Sequence, residues 1–288
     1  MSDTRTPPPA LTSLLPNTRT PQLPSTGTPL PPPSRARLPR AARRSLAAVA
    51  ALAALAAGAC VLAAPPAAAE DRPRGNDVSS HQAAVDWPTA QADGAAFVYV
   101  KATEATRYRN PYFAGQYEGA RAAGLFRGAY HFALPDRSSG AAQAAFFLEH
   151  GGAWQPDGRT LPPALDLEDD PYDPRLPCYG LSQEAMVAWI ADFSGEVLRI
   201  TGRRPVIYTT TNWWNTCTGG SSAFAADHAL WIARHSAADT GALPPGWTSW
   251  TFWQYDDRGS LPGDQNLFNG SPDLLERLAR GPVDPAAR

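Results

Sequence analysis

The chain has 288 residues, hydrophobic side chains at 43% of positions and a formal net charge of −2. That charge is unevenly spread: residues 1–69 hold seven Arg and the single acid Asp3, leaving 18 basic against 26 acidic residues in the remainder. A remainder this acidic argues against nucleic acid as a partner, and three cysteines without an H-E-x-x-H spacing argue against a zinc site.

Residues 1–44 are rich in Pro, Thr, Ser and Arg without apolar periodicity, and are expected to be disordered. Leu46 to Leu62 then runs without a charge. It is preceded by Arg35, Arg37, Arg40, Arg43 and Arg44, and followed by Ala67-Ala68-Ala69 before Glu70. This order makes 45–69 a secretory signal peptide. An uncleaved signal-anchor is the alternative, since 17 apolar residues are the short edge of a membrane span; it would be the chain's one tie to a membrane. Cys60 follows Ala57-Gly58-Ala59, which lacks the large aliphatic residue of a lipoprotein site, and is assigned to the discarded segment. The expected product is an extracellular domain over 70–280 with a tail over 281–288. Its two cysteines, Cys178 and Cys217, are expected to pair after secretion.

Within that domain a weak strand signal precedes Asp77, and a stronger one covers Ala96–Lys101. A helix is expected over Pro111–Ala123, ended by Gly124, then a strand over Phe126–Phe132 and a helix over Ser139–Glu149, ended by Gly151. The run Ala164–Leu167 reads as a buried strand. The best helix is Ser182–Ile200, where Met186, Ile190, Phe193, Val197 and Ile200 recur every three or four residues between a Ser182 cap and Gly202. Strands over Pro205–Thr209, Ala229–Ala233 and Thr251–Tyr255 follow, and a last one lies near Leu267. Alternating strands and helices imply a parallel sheet, and eight strands in one domain imply a barrel. The fold class is therefore α/β, a modified (β/α) TIM-like barrel. Its later connections are short, so the outer ring of helices is incomplete. In such a barrel the carboxyl ends of the strands carry the site. Asp77, Lys101, His131, Asp166 and Glu168 fall there.

The pair Asp166 and Glu168 is the strongest chemical signal. Residues two apart on a strand share a face, about 7 Å apart. Paired carboxylates serve glycoside hydrolysis, where one donates a proton and the other stays charged. Sugar rings present apolar C–H faces to aromatic side chains, which makes Tyr130, Tyr208, Trp253, Trp213 and Trp214 candidate substrate contacts. The last two are read as a binding loop tethered by Cys217. Trp231 and Trp87 are assigned to packing, His131 to a structural hydrogen-bonded role, and Lys101 with Glu104 to an ion pair at the rim.

The chain also resembles a known family. Asn76-Asp77-Val78-Ser79-Ser80-His81-Gln82 with Val85-Asp86-Trp87 is similar to the opening of the glycoside hydrolase family 25 lysozymes. Phe97 to Glu104, Gly128 to Phe132, Gln143-Ala144, Ala164 to Glu168, Ile207-Tyr208, Leu230 to Ala233 and Phe252 to Tyr255 follow in that family's order. The resemblance covers about 75–270. It implies an N-acetylmuramidase cutting the β-1,4 bond between N-acetylmuramic acid and N-acetylglucosamine in peptidoglycan glycan strands, without cofactor or metal, as a wall-associated monomer. Glu168 matches the family's general acid, Asp166 its partner carboxylate, and Asp77 the acid ending the first strand. Asp264 resembles a late acidic residue, in a segment shorter than usual, and Ala105 replaces a glycine after Lys-Ala-Thr-Glu. Nearby anions would raise the pKa of Glu168, so that it holds the proton, while Asp77 and Asp166 stay ionised. Whether Asp166 itself attacks the anomeric carbon is open; substrate-assisted retention, with Asp166 orienting the 2-acetamido group, is favoured because a same-strand separation of about 7 Å is long for direct attack. The alternatives are an inactive wall-binding barrel and a hydrolase of another amino-sugar polymer such as chitin.

Overall fold

Strand and helix signals alternate in the structure much as they do along the chain. The computed structural model describes residues 72–281. The assignments to 1–44 and 45–69, Cys60 included, and to the tail beyond 281 lie outside the described residues. The elements are β1 (Arg74–Val78), α1 (Trp87–Ala92), β2 (Ala95–Glu104), β3 (Tyr108–Arg109), α2 (Phe113–Ala122), β4 (Phe126–Phe132), α3 (Gly140–Phe147) and β5 (Ala164–Asp166). These are followed by α4 (Gln183–Thr201), β6 (Val206–Thr209), α5 (Thr211–Thr218), β7 (Leu230–Ala233), β8 (Phe252–Asp256), β9 (Asp264–Phe268) and α6 (Pro272–Arg280).

Eight strands close a barrel in the order β1-β2-β4-β5-β6-β7-β8-β9, with β9 returning to β1, and β3 hairpins onto β2. From β1 to β8 every neighbour is parallel. The last strand differs from the all-parallel expectation, being antiparallel to both β8 and β1. Only residues 257–263 separate β8 from β9, and a parallel crossover needs a dozen or more. A short turn leaves the antiparallel return as the one closure available. No helix lies between β7 and β8, so the helical ring is incomplete as expected.

Strand parity decides what faces inward. Phe97, Tyr99, Tyr130, Ala164, Val206, Trp231, Phe252 and Phe268 pack together inside the barrel. Leu165, Leu167, Ile207, Leu230 and Ile232 face outward onto α3, α4 and α5. Val78, Val98 and Val100 meet α1 and α2. Tyr99 stacks on Trp231 with ring centroids 4.8 Å apart, in space that exists because residue 128 is glycine; a Cβ there would overlap the Tyr99 ring. This aromatic plug makes the lumen a packed floor rather than a pore, and the strand ends above it carry the polar residues.

The long helix α4 has the caps its sequence specifies: Ser182 accepts from the Ala185 amide, and Gly202 leaves the helix at φ 70°. Cys178 and Cys217 form a disulfide across 39 residues, tying the loop after β5 to α5. Replacing both cysteines by Ser is expected to cost about 4 kcal/mol in the chain-entropy account, read as a lower urea midpoint with little change in slope. An unchanged midpoint would show that the loop is already ordered in the unfolded ensemble.

Candidate active site

The inward parity that packs the barrel floor also delivers its chemistry. On β5, Ala164 and Asp166 point inward, and the next inward position is Glu168, just past the strand's last residue. The ladder runs on past the strand: Ala133 N–H donates to Asp166 O at 3.0 Å, and Leu167 N–H to Tyr208 O at 3.0 Å. On β1 the last inward residue is Asp77. The antiparallel β9 places Asp264 directly opposite it in register, two like charges in the geometry that a sheet ordinarily avoids. Gly263 permits this approach, because at φ 78° a Cβ there would collide with the Asp77 carbonyl.

Four carboxyls therefore surround one cavity of about 210 Å³, shared with Tyr130 and Lys101. A narrower extension of about 90 Å³ reaches Tyr208, Trp231 and Gln254. The side chains of Asp166 and Glu168 interact directly, each altering the other's affinity for a proton, where the chain leaves strand geometry after Asp166. Asp166 is buried at 6% exposure, and its Oδ1 has no partner in the protein. Glu168 is less enclosed, and its main-chain oxygen accepts from Tyr179 OH at 3.1 Å.

Burial governs the charges. It raises Asp166 well above the usual carboxylate range, helped by Glu168, and it raises Glu168 as well. Two buried carboxyls this close disfavour ionising together. Asp77 is pushed up to about 7, first by burial and then by Asp264, against hydrogen bonds from Gln254 and Asn266 that favour its charge. Burial raises Asp264 too. The expectation that Asp77 and Asp166 stay fully ionised is thus corrected: four carboxyls share one site with a single neighbouring lysine. That lysine is already committed, since Lys101 Nζ lies 2.7 Å from Glu104 Oε2 and 4.4 Å above the Phe132 ring.

Two residues that sequence reasoning missed organise this cluster. Gln254 Nε2 donates to Asp77 Oδ2 at 2.9 Å and to Asp264 Oδ2 at 3.3 Å, while its Oε1 accepts from Tyr208 OH at 2.9 Å and pairs with His235 Nε2 at 2.7 Å. Asn266 Nδ2 donates to Asp77 Oδ2 at 2.6 Å, and its Oδ1 accepts from Trp231 Nε1 at 2.7 Å. Each is a polar residue at an inward position of an otherwise apolar strand, and that parity is the signal that could have found it. Trp231, assigned to packing, belongs to the floor and also lines the cavity.

The tryptophan candidates go elsewhere. Trp213 and Trp214 are 2% and 0% exposed and lie in the core under α4. Their Nε1 groups donate to Pro177 O at 3.2 Å and Ser221 O at 2.9 Å, and residues 211–218 form a helix rather than a binding loop. Trp253 has the wrong parity: its neighbours Phe252 and Gln254 face inward, while its own ring packs outside near Trp250 and donates to Arg234 O at 3.1 Å. Neither Trp253 nor the Trp213-Trp214 pair meets the carboxyl cavity. Tyr130 and Tyr208 do.

Two further arrays resemble catalytic ones and serve structure instead. His131 is fully buried between Thr103 Oγ1 and Gln143 Oε1, and burial pushes it down to about 4, so it is neutral. Ser194, His228 and Asp227 line up at 2.7 and 2.6 Å like a nucleophile, base and acid. Ser194, however, is 1% exposed in the middle of α4 and unreachable by substrate. Among the described residues no group of His, Cys, Asp and Glu is placed to hold a metal ion.

Comparison with known proteins places this geometry in context. The family model for glycosyl hydrolases family 25 matches residues 76–264. An N,O-diacetylmuramidase from Chalaropsis sp is 46% identical over 211 residues, 72% of this chain and 99% of that protein. Lysozyme M1 from Streptomyces globisporus is 45% identical over 72% of this chain and 71% of its own length. The structure of a muramidase from Acremonium alcalophilum superposes with a TM-score of 0.71 at 52% identity, covering 73% of this chain and all of that one.

Proposed function

The chain belongs to glycosyl hydrolase family 25, and from that premise we infer a lysozyme that hydrolyses the β-1,4 bond between N-acetylmuramic acid and N-acetylglucosamine in bacterial peptidoglycan. The observation that carries the mechanism is the buried Asp166 Oδ1, unpartnered beside Glu168. Such an acceptor asks for a donor from the substrate.

In the reading this supports, a proton resides on Glu168 once substrate fills the cavity. Glu168 passes it to the glycosidic oxygen as the bond to the anomeric carbon breaks. The carbonyl oxygen of the 2-acetamido group attacks that carbon, and Asp166 Oδ1, now ionised, accepts the acetamido N–H and offsets the positive charge on the oxazolinium ring. Water then opens the ring while Glu168, now a carboxylate, takes its proton, so the configuration is retained. The chemistry is assigned to the substrate's own amide, for which Asp166 Oδ1 is the buried acceptor at hand. Asp264 and, above about pH 7, Asp77 supply negative potential facing the oxazolinium, and Tyr130 and Tyr208 supply contact surface.

Proton NMR of the first-formed product is expected to show the β-anomer. A muramic thiazoline, which mimics the oxazolinium, is expected to inhibit competitively. An α-anomeric first product with no thiazoline inhibition would instead assign water activation to a carboxylate. We further read 45–69 as an export signal and 70–280 as the working domain, acting outside the cell as a monomer held to the wall by its glycan groove.

A further inference from the structure

Beside the carboxyl cavity lies a larger one, of about 470 Å³, with the opposite electrostatic character. The two are separated by the Lys101–Glu104 ion pair: Lys101 lines the first and Glu104 the second. Arg107 and Arg137 line the larger cavity along with Tyr108, Tyr172 and Leu134. These residues come from the turn after β2, from β3, from the turn after β4 and from the loop after β5, all on the rim that carries Asp166 and Glu168.

The charges there leave a surplus. Glu104 is neutralised by Lys101 at 2.7 Å and accepts the Tyr172 hydroxyl. Asp136 is paired with Arg137 at 3.0 Å, a contact that leaves most of that exposed guanidinium's donors open. Arg107 is exposed and makes no ion pair among the described residues. Of the charged residues lining the pocket, Arg107 and Arg137 outnumber Glu104, whose charge Lys101 already meets from the neighbouring cavity of four carboxyls. The backbone holds this arrangement at a cost: Ala105 turns the chain out of β2 at φ 47°, a left-handed conformation disfavoured for a residue with a Cβ, two residues before Arg107.

We propose that this pocket binds a free carboxylate of the stem peptide borne by the lactyl group of a muramyl residue seated in the groove, so that the enzyme prefers peptide-bearing over naked glycan. The proposal rests on the lysozyme reading and deepens it. In an intact strand every lactyl carboxyl is tied up as the amide of a stem peptide, so the free carboxylates that match the cationic surplus are those of the peptide. Guanidinium forks suit planar carboxylates, and Tyr172 and Leu134 supply apolar contact for the intervening side chains.

The test compares kcat/KM for glycan strands carrying intact stem peptides with that for strands stripped of peptide whose lactyl carboxyls are capped as methylamides. It uses the wild type, Arg107→Ala, Arg137→Ala and the double variant. Wild type is expected to favour peptide-bearing strands roughly fivefold, and the double variant to bring that ratio near one, the size of a partly exposed charged contact. Amidating the peptide carboxylates is expected to lower the wild-type ratio equally. A ratio indifferent to both the variants and amidation would overturn the proposal and leave the pocket to a further sugar ring on Tyr172. Calorimetric binding of muramyl dipeptide gives a second readout, independent of turnover: affinity falls roughly fivefold in the double variant if the proposal holds. Unchanged affinity rejects it even where every strand is cut normally. Loss of cutting on both kinds of strand, with dipeptide binding still dependent on the two arginines, would instead count against the lysozyme reading alone.

Discussion

Glu168→Gln is expected to lower kcat on peptidoglycan by about 10³-fold, within the 10²–10⁴ range of a positioned general acid, with KM little changed. The amide keeps the shape and can still donate to Asp166, but it has no proton to give a leaving oxygen. Asp166→Asn is the informative companion. It retains an acceptor at the position of Oδ1 but loses the charge facing the oxazolinium, so its loss of rate should persist on substrates with good leaving groups, where that of Glu168→Gln is largely relieved. A Glu168→Gln enzyme retaining more than a tenth of wild-type kcat would remove Glu168 from the acid role.

The second large effect is on stability, and its sign depends on pH. Asp77 is buried, and its carboxyl is raised from 3.8 to about 7 in the native state. Below about pH 4 both folded and unfolded chains hold the proton, and Asp77 costs nothing. Between 3.8 and about 7 the unfolded chain gives it up first, so the native state loses ground at about 1.4 kcal/mol per pH unit. Above 7 the whole penalty, about 4 kcal/mol, is present. Asp77→Asn removes it while keeping an oxygen to accept from Gln254 and Asn266 and placing an amide opposite Asp264. The variant is expected to match wild type near pH 3.5 and to melt roughly 10 °C higher at pH 8, while hydrolysing peptidoglycan about 10²-fold more slowly for want of the charge. Equal melting temperatures at pH 8 would mean that Asp77 ionises in the fold without strain. An active site that sacrifices stability in this way is the ordinary consequence of gathering like charges for chemistry.

What could be read from the chain, and what could not, follows from the range of the forces involved. Asp166 and Tyr208 were legible because strand parity is local: a residue two positions from another shares its face. The same rule, applied to β8, would have exchanged Trp253 for Gln254, since Phe252 anchors the inward set. Trp213 and Trp214 misled because they follow a strand and precede a cysteine. Thr210 caps a helix there, and Trp213, Trp214 and Cys217 form its buried face. The position of Asp264 was not legible in any local window. It depends on a seven-residue turn forcing β9 to run backwards until Asp264 stands opposite Asp77, 187 residues away. The proton distribution was hidden for the same reason, because each carboxyl's pKa reflects how many others the fold brings beside it.

The central claim is tested most directly by mass spectrometry of fragments released from purified peptidoglycan by the full chain, beside its Glu168→Gln variant. The account predicts fragments ending in reducing N-acetylmuramic acid, absent or much reduced with the variant. Fragments ending in reducing N-acetylglucosamine, or equal release by both proteins, would contradict it.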